Sequence, residues 1–232
     1  MTGSQALIAH AVKILVLLTL AGILSRRRWS SCWSFTAYLA VVLLGNSLVS
    51  FWPERFYTPW FYIARSGLYD ALKVGITLEL ASRTFQAFPG ARATVRRVLF
   101  LLLIASSAFL IAAPWDGTYR GALLEWQPRM LTANIWLLNA LAVVVIWYRV
   151  PIHAYHKAIL MGFVPYLLVF TILLRLLNHY GWDILPVVQS AEPAAYLLLM
   201  GWWAWAAWEP EGAPDVSPEV LRLLQPWRAV RS

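Results

Sequence analysis

Seven apolar runs divide the chain, at about residues 6–25, 31–52, 61–82, 97–114, 130–149, 157–179 and 188–208. Short stretches richer in Arg, Pro, Gly and acidic residues separate them. Each run is close to the ~20 residues that an α-helix needs to cross the hydrocarbon core of a bilayer. A helix satisfies its backbone N–H and C=O groups within one segment, which an isolated strand in lipid cannot do. The pattern predicts an all-α fold, an integral membrane bundle of seven transmembrane helices.

The polar stretches alternate in charge. Arg26, Arg27 and Arg28 follow the first run, and Arg83, Arg92, Arg96 and Arg97 follow the third. Arg149 and Lys157 flank the loop after the fifth, and Arg222, Arg228 and Arg231 lie in the tail. That places twelve basic residues on one side, against Arg55, Arg120 and Arg129 on the other. The positive-inside rule then sets the N-terminus outside and the C-terminus in the cytoplasm. Aromatic residues fit the same frame. Trp52, Phe56, Tyr57, Trp60, Trp115, Trp126, Tyr180 and Trp182 are expected at the outer interface. Trp29, Trp33, Trp147, Tyr148, Trp203, Trp205 and Trp208 are expected at the inner one, because rings with polar tips favour that depth.

The third run departs from a uniform apolar pattern. At about 100° per residue, Tyr62, Arg65, Ser66, Tyr69, Lys73 and Thr77 share an arc of roughly 120°, with Asp70 at its edge. The opposite face carries Gly67, Ala71 and Gly75, a four-residue spacing of small side chains that admits a close helix neighbour. A helix polar on one face and notched on the other belongs inside the bundle. Asp70 and Lys73, three residues apart, are placed to pair. Charges at membrane depth are costly and so mark candidate sites. Lys13 on the first span and Arg175 on the sixth join Arg65, Asp70 and Lys73 in the outer half, with Glu192 at the start of the seventh. Glu79, near the inner end of the third span, is expected to reach water. The expected binding site comprises Arg65, Tyr69, Asp70, Lys73, Lys13 and Arg175, walled by Asn46, Asn134, Asn139 and Tyr166. Its surplus positive charge calls for an anionic or strongly hydrogen-bonding ligand. The competing reading is an internal salt bridge that fixes helix packing, with Lys13 and Arg175 reaching for the interface.

Composition narrows the class. Hydrophobic residues make up 60% of the 232-residue chain and charged residues 13%, and the mean hydropathy is +0.62. Soluble domains carry roughly 25% charged residues. These values exclude a disordered, fibrous or nucleic-acid-binding chain. Seven crossings leave no room for a sizeable soluble enzyme domain. Most of the net charge of +8 is the orientation signal already described. Cys32 is the one cysteine, so neither an intrachain disulfide nor a cysteine-based metal motif is available. The basic cluster follows the first run instead of preceding it, unlike a cleavable signal peptide. Residues 1–208 read as the membrane domain and 209–232 as a cytoplasmic tail. In that tail Ser217, Pro218 and Glu219 open a short amphipathic helix with Val220, Leu221, Leu223 and Leu224 on its apolar side.

Further chemistry is sparse. His153 and His156, three residues apart, are weak candidates for a shared metal, since no carboxylate or cysteine accompanies them. His10 and His179, or a Trp-rich site, would be needed for a haem or pigment; no cofactor is expected. No nucleophile elbow, HExxH, Walker loop or GxGxxG is present, and Asp70 is the one aspartate within a span, so an enzyme is not expected. No pair of matching Gly/Pro-interrupted spans points to a transporter. Pro165 is read as the mid-span proline that kinks the sixth helix.

The plan of seven spans with the N-terminus outside looks like that of microbial rhodopsins, but the seventh segment, AEPAAYLLLMGWWAWAAW, has no lysine to carry retinal. The stretch ELASRTFQAFPGARATVRRV, at the end of the third span and in its loop, resembles bacterial seven-helix membrane proteins similar to the detached sensor part of membrane histidine kinases. That resemblance implies a bacterial inner-membrane location and a sensor or ligand-binding module. It also implies signalling through a separate protein partner, within the lipid bilayer or at its cytoplasmic face. The alternatives are an accessory subunit of a larger membrane complex and, third, a small transporter.

Overall fold

The computed structural model describes residues 3–84, 97, 100–101, 104, 121, 127–147 and 153–210. Its elements are α1 (Gly3–Ser25), α2 (Trp33–Phe51), α3 (Pro59–Thr84), α4 (Gln127–Trp147), α5 (Ala154–Tyr180) and α6 (Leu185–Trp208). A helical turn, Pro53–Phe56, links α2 to α3, and 3-10 turns occupy Arg28–Ser30 and Gly181–Ile184. Among the described residues there is no strand. Three of the described segments are long and apolar enough to cross a membrane: Leu7–Ser25, Trp33–Phe51 and Ala154–Trp208. The predicted fourth span and the tail helix lie outside the described residues, save that Arg97, Phe100, Leu101 and Ile104 are helical.

The six long helices close a ring. Each packs on the next in the order α1 to α6, and α6 packs extensively on α1. Hydrogen bonds between their ends give the directions. Ser34 at the start of α2 meets Glu79 near the end of α3, so these two are antiparallel. Trp202 of α6 reaches Ala158 near the start of α5, so these are antiparallel too. Tyr62 in the first turn of α3 meets Gln127, the first residue of α4, so α3 and α4 start from the same end.

Small residues set the closest approaches. A Cβ on Gly162 of α5 would lie 2.5 Å from Nε1 of Trp203 and 2.8 Å from Cδ1 of Leu199. Trp203 is 1% exposed, and Phe35, Tyr38 and Phe163 meet it edge-on with ring centroids 4.5 to 6.4 Å away. It is a core residue and not part of the inner aromatic belt, because the glycine notch on α5 admits the indole. Trp29, Trp33, Trp205 and Trp208 are exposed at that end, as are Trp52, Tyr57, Trp60, Tyr180 and Trp182 at the other. α6 begins three residues before its apolar run, and Pro193 as well as Pro165 falls inside a helix, so Pro165 is not alone as a proline within a span.

Polar side chains lock the end that holds the loop after α1. Arg28 is buried and donates to the carbonyls of Ala206 (2.8 Å), Ala207 (3.2 Å) and Glu209 (2.7 Å). A guanidinium there supplies donors to carbonyls that the end of α6 leaves unpaired and complements its dipole. Glu79 does the converse for α2. Its carboxylate accepts from the N–H groups of Trp33 (3.0 Å) and Ser34 (2.8 Å), and Arg83 braces it at 3.0 Å. Glu79 is therefore a capping group supplied from another helix, not a side chain extended into water.

Candidate functional site

The polar arc of α3 faces the interior. The helix opens at Thr58, whose hydroxyl accepts from the Phe61 N–H at 3.3 Å, and Pro59 fits the first helical position, where its missing N–H costs nothing. Tyr62 donates to Gln127 Oε1 at 2.8 Å. One turn further, Arg65 Nη1 makes a long contact of 3.5 Å with Asn46 Oδ1 of α2. Its guanidinium lies 5.7 Å from the ring centre of Tyr69 and 6.0 Å from that of Phe61. Gly45 of α2 makes this possible. A Cβ there would stand 2.7 Å from Arg65 Cδ and 2.8 Å from the Tyr69 hydroxyl.

Deeper in the bundle, Lys73 Nζ donates to Asp70 Oδ1 at 2.8 Å. Asp70 is 2% exposed and Lys73 7%. The Lys73 carbonyl accepts from the Thr77 hydroxyl at 3.0 Å. From the other side of the ring, Tyr166 of α5 donates to Glu192 Oε1 of α6 at 2.9 Å. The Tyr166 ring in turn lies 5.3 Å from that of Tyr196 on α6. Tyr38 of α2 meets Tyr69 of α3 edge-on at 5.9 Å between ring centres and Phe163 of α5 at 5.5 Å. Polar groups from α2, α3, α5 and α6 thus converge in one interior cluster.

Among the described residues six buried side-chain polar atoms have no hydrogen-bond partner: Arg65 Nε, the Tyr69 hydroxyl and Asn134 Oδ1 near the cluster, and Thr84 Oγ1, the Tyr155 hydroxyl and Trp203 Nε1 elsewhere. Asn134, on α4, spends its amide on the Met130 carbonyl at 3.1 Å. Native interiors pair the large majority of such groups, so each marks a place where a partner is wanted.

The structure divides the residues predicted for the site. Arg65, Tyr69, Asp70 and Lys73 come together, with Asn46, Tyr166 and Glu192 beside them. Lys13 stands apart, bonded to Ser50 at the end of α2. Arg175 is exposed on α5, and Asn139 is half-buried on α4. The histidines have other duties. His153 caps α5 by accepting from the Tyr155 N–H at 3.3 Å, and His156 Nε2 lies 3.0 Å from the Ser31 carbonyl. Among the described residues, no three His, Cys, Asp or Glu side chains group as metal ligands.

The sequence reading passed over Tyr38, Gly45, Gln127 and Tyr196. Tyr38 and Tyr196 are each the one tyrosine of an apolar run, which is a local signal. Gly45 has no such signal, since its role appears only when α2 meets α3.

No protein-family model, curated protein or solved structure matches this chain. What the fold and the cluster define is a class. Over its described residues it is a helical chain, with three segments long and apolar enough to span a membrane, that encloses a set of charged and hydroxyl side chains.

Proposed function

We propose that this chain is a non-catalytic, seven-span membrane module that holds a polar ligand in its interior cluster and acts through a separate protein partner at the cytoplasmic face. One observation carries the reading. Charged and polar side chains from several helices meet at the centre of an otherwise apolar ring, with buried polar atoms left unpaired beside them. Lipid makes such groups costly, so they are kept where they bind or switch something.

The membrane setting is supported by the outer faces. Ile14, Leu44, Val143, Ile172 and Leu198 are each more than half exposed. In water that surface would be an aggregation liability, whereas in acyl chains it is matched. Seven crossings are supported by the shared starting end of α3 and α4. Thr84 and Gln127 consequently lie at opposite ends of the ring, and residues 85–126 have to cover its length. Those 42 residues suffice for one crossing of about 20 and not for three. The end that gathers Arg26, Arg27, Arg83 and Lys157 is the cytoplasmic one by the positive-inside rule. The resemblance of the third-span stretch to bacterial sensor parts supports a bacterial inner-membrane location.

The test is native mass spectrometry of the full chain purified in mild detergent, combined with labelling of single cysteines placed at Gln5, Arg27 and Tyr57 in a Cys32→Ser background. A retained small molecule, and labelling of position 27 alone from the cytoplasmic side, are expected. A clean chain with nothing bound, or labelling of positions 5 and 57 from the cytoplasm, refutes the reading. Co-purification of other membrane chains without a small molecule would favour the accessory-subunit role instead.

A further inference from the structure

The interior charges do not have equal work to do. Lys73 and Asp70 satisfy each other at 2.8 Å and are nearly closed to solvent. The Glu192 carboxylate is engaged by Tyr166. Arg65 is different. It is half-buried, and among the described residues its five N–H donors have a single hydrogen-bond contact, the 3.5 Å approach to Asn46. Its Nε is enclosed without a partner, as is the neighbouring Tyr69 hydroxyl. Among the described residues no carboxylate lies within ion-pair distance of it. The Cγ and Cδ methylenes of Arg65 pack into the Gly45 notch, and its guanidinium carbon lies 6.0 and 5.7 Å from the ring centres of Phe61 and Tyr69.

We infer that Arg65 is the anchor of an oxyanion-binding site, with Asn46 and the Tyr69 hydroxyl as its neutral partners, and that the Asp70–Lys73 pair beneath is a strut and not a ligand group. This rests on the proposed binding role of the cluster and names its ligand class: a carboxylate or phosphate group. A guanidinium beside two aromatic rings and short of acceptors matches the planar, two-oxygen face of such a group, which an ammonium does not. Glu192 across the cluster adds negative charge at longer range, and so favours a ligand of low charge. Arg65 lies six residues into α3, about 9 Å along its axis at 1.5 Å per residue. At that depth the oxyanion can come from a lipid headgroup or from a water-borne solute.

The experiment uses the full chain in nanodiscs. Thermal unfolding is followed in phosphatidylcholine discs with added inorganic phosphate or acetate at constant ionic strength, and in discs containing phosphatidylglycerol. The variants are Arg65→Gln, Arg65→Lys, Gly45→Ala and the double variant Asp70→Leu with Lys73→Met. The wild type should be stabilised by at least one of the three probes. A response to phosphate or acetate identifies a solute site, and one to phosphatidylglycerol alone a lipid site. Arg65→Gln should abolish the response. Arg65→Lys, which keeps the charge and so guards against a folding failure, should weaken apparent affinity by about tenfold or more. Gly45→Ala should weaken it by pushing Arg65 out of the notch. The double variant should keep it. No response in the wild type, or an equal response in Arg65→Gln and Arg65→Lys, overturns the inference. A bound ligand lost in the Asp70/Lys73 variant but not in the Arg65 variants would overturn it while leaving the binding role standing. Absence of any retained molecule by mass spectrometry would remove the binding role itself.

Discussion

The Asp70–Lys73 pair offers the sharpest test of the fold. Both side chains are nearly closed to solvent, and they are bonded at 2.8 Å. Removing either partner leaves the other as a bare charge in the ring. Breaking a buried pair in this way costs about 3–5 kcal/mol, whereas replacing both members with apolar residues of similar volume is near neutral or stabilising. Lys73→Met alone and Asp70→Leu alone should each destabilise by that amount, and the double variant should return to within about 2 kcal/mol of wild type. The pair sits three residues apart on one helix, so it also forms before α3 packs. That does not cancel the effect. A bare charge on a separated α3 can bend toward the interface, but inside the closed ring it cannot. For a chain of this size each kcal/mol shifts the unfolding midpoint by roughly 2–4 °C, so the single variants should fall by roughly 6–20 °C. The assay is thermal unfolding of the purified chain in mild detergent, read by tryptophan fluorescence. Single variants that each lose less than about 1 kcal/mol, or a double variant that loses the sum of the two, would refute the reasoning.

Other perturbations follow from the same contacts. Glu79→Ala removes the acceptor for the first N–H groups of α2 and should cost about 1–2 kcal/mol, with faster hydrogen exchange confined to the start of that helix. Arg28→Ala leaves three carbonyls at the end of α6 without their donor and should cost about 2–3 kcal/mol in the same unfolding assay, with Arg28→Lys recovering only part. Gly162→Ala drives a methyl into Trp203 and Leu199 and should cost about 1–3 kcal/mol. Gly201→Ala meets nothing within 4 Å and should be neutral or stabilising by up to about 1 kcal/mol, which makes it the matched control.

How much of the site could be read in advance depends on how local each signal is. The polar arc of α3 obeys the 3.6-residue period, so its inward direction was visible from Tyr62 to Thr77. The Asp70–Lys73 bond spans three residues of one helix, and its partners are fixed by helix geometry alone. Arg65 was visible as a charge, but its shortage of partners was not. That depends on Gly45 admitting it beside α2 and on Asp70 already being taken.

The sequence by itself determined that the chain is helical, where its long apolar segments fall, and which face of α3 carries charge. These follow from the periodicity of side chains and from the cost of unpaired backbone in lipid, both properties of a single segment. Which charges meet is set by the packing of helices distant in the chain. Arg28 finds its acceptors 178 to 181 residues away, and Glu79 caps a helix that begins 46 residues earlier. Trp203 enters the core because Gly162 lies opposite. Lys13 and Arg175 remain outside the cluster although their depth in the sequence matches it. Depth is set along one helix axis, but convergence depends on how each helix is rotated about that axis, and neighbouring helices fix that rotation.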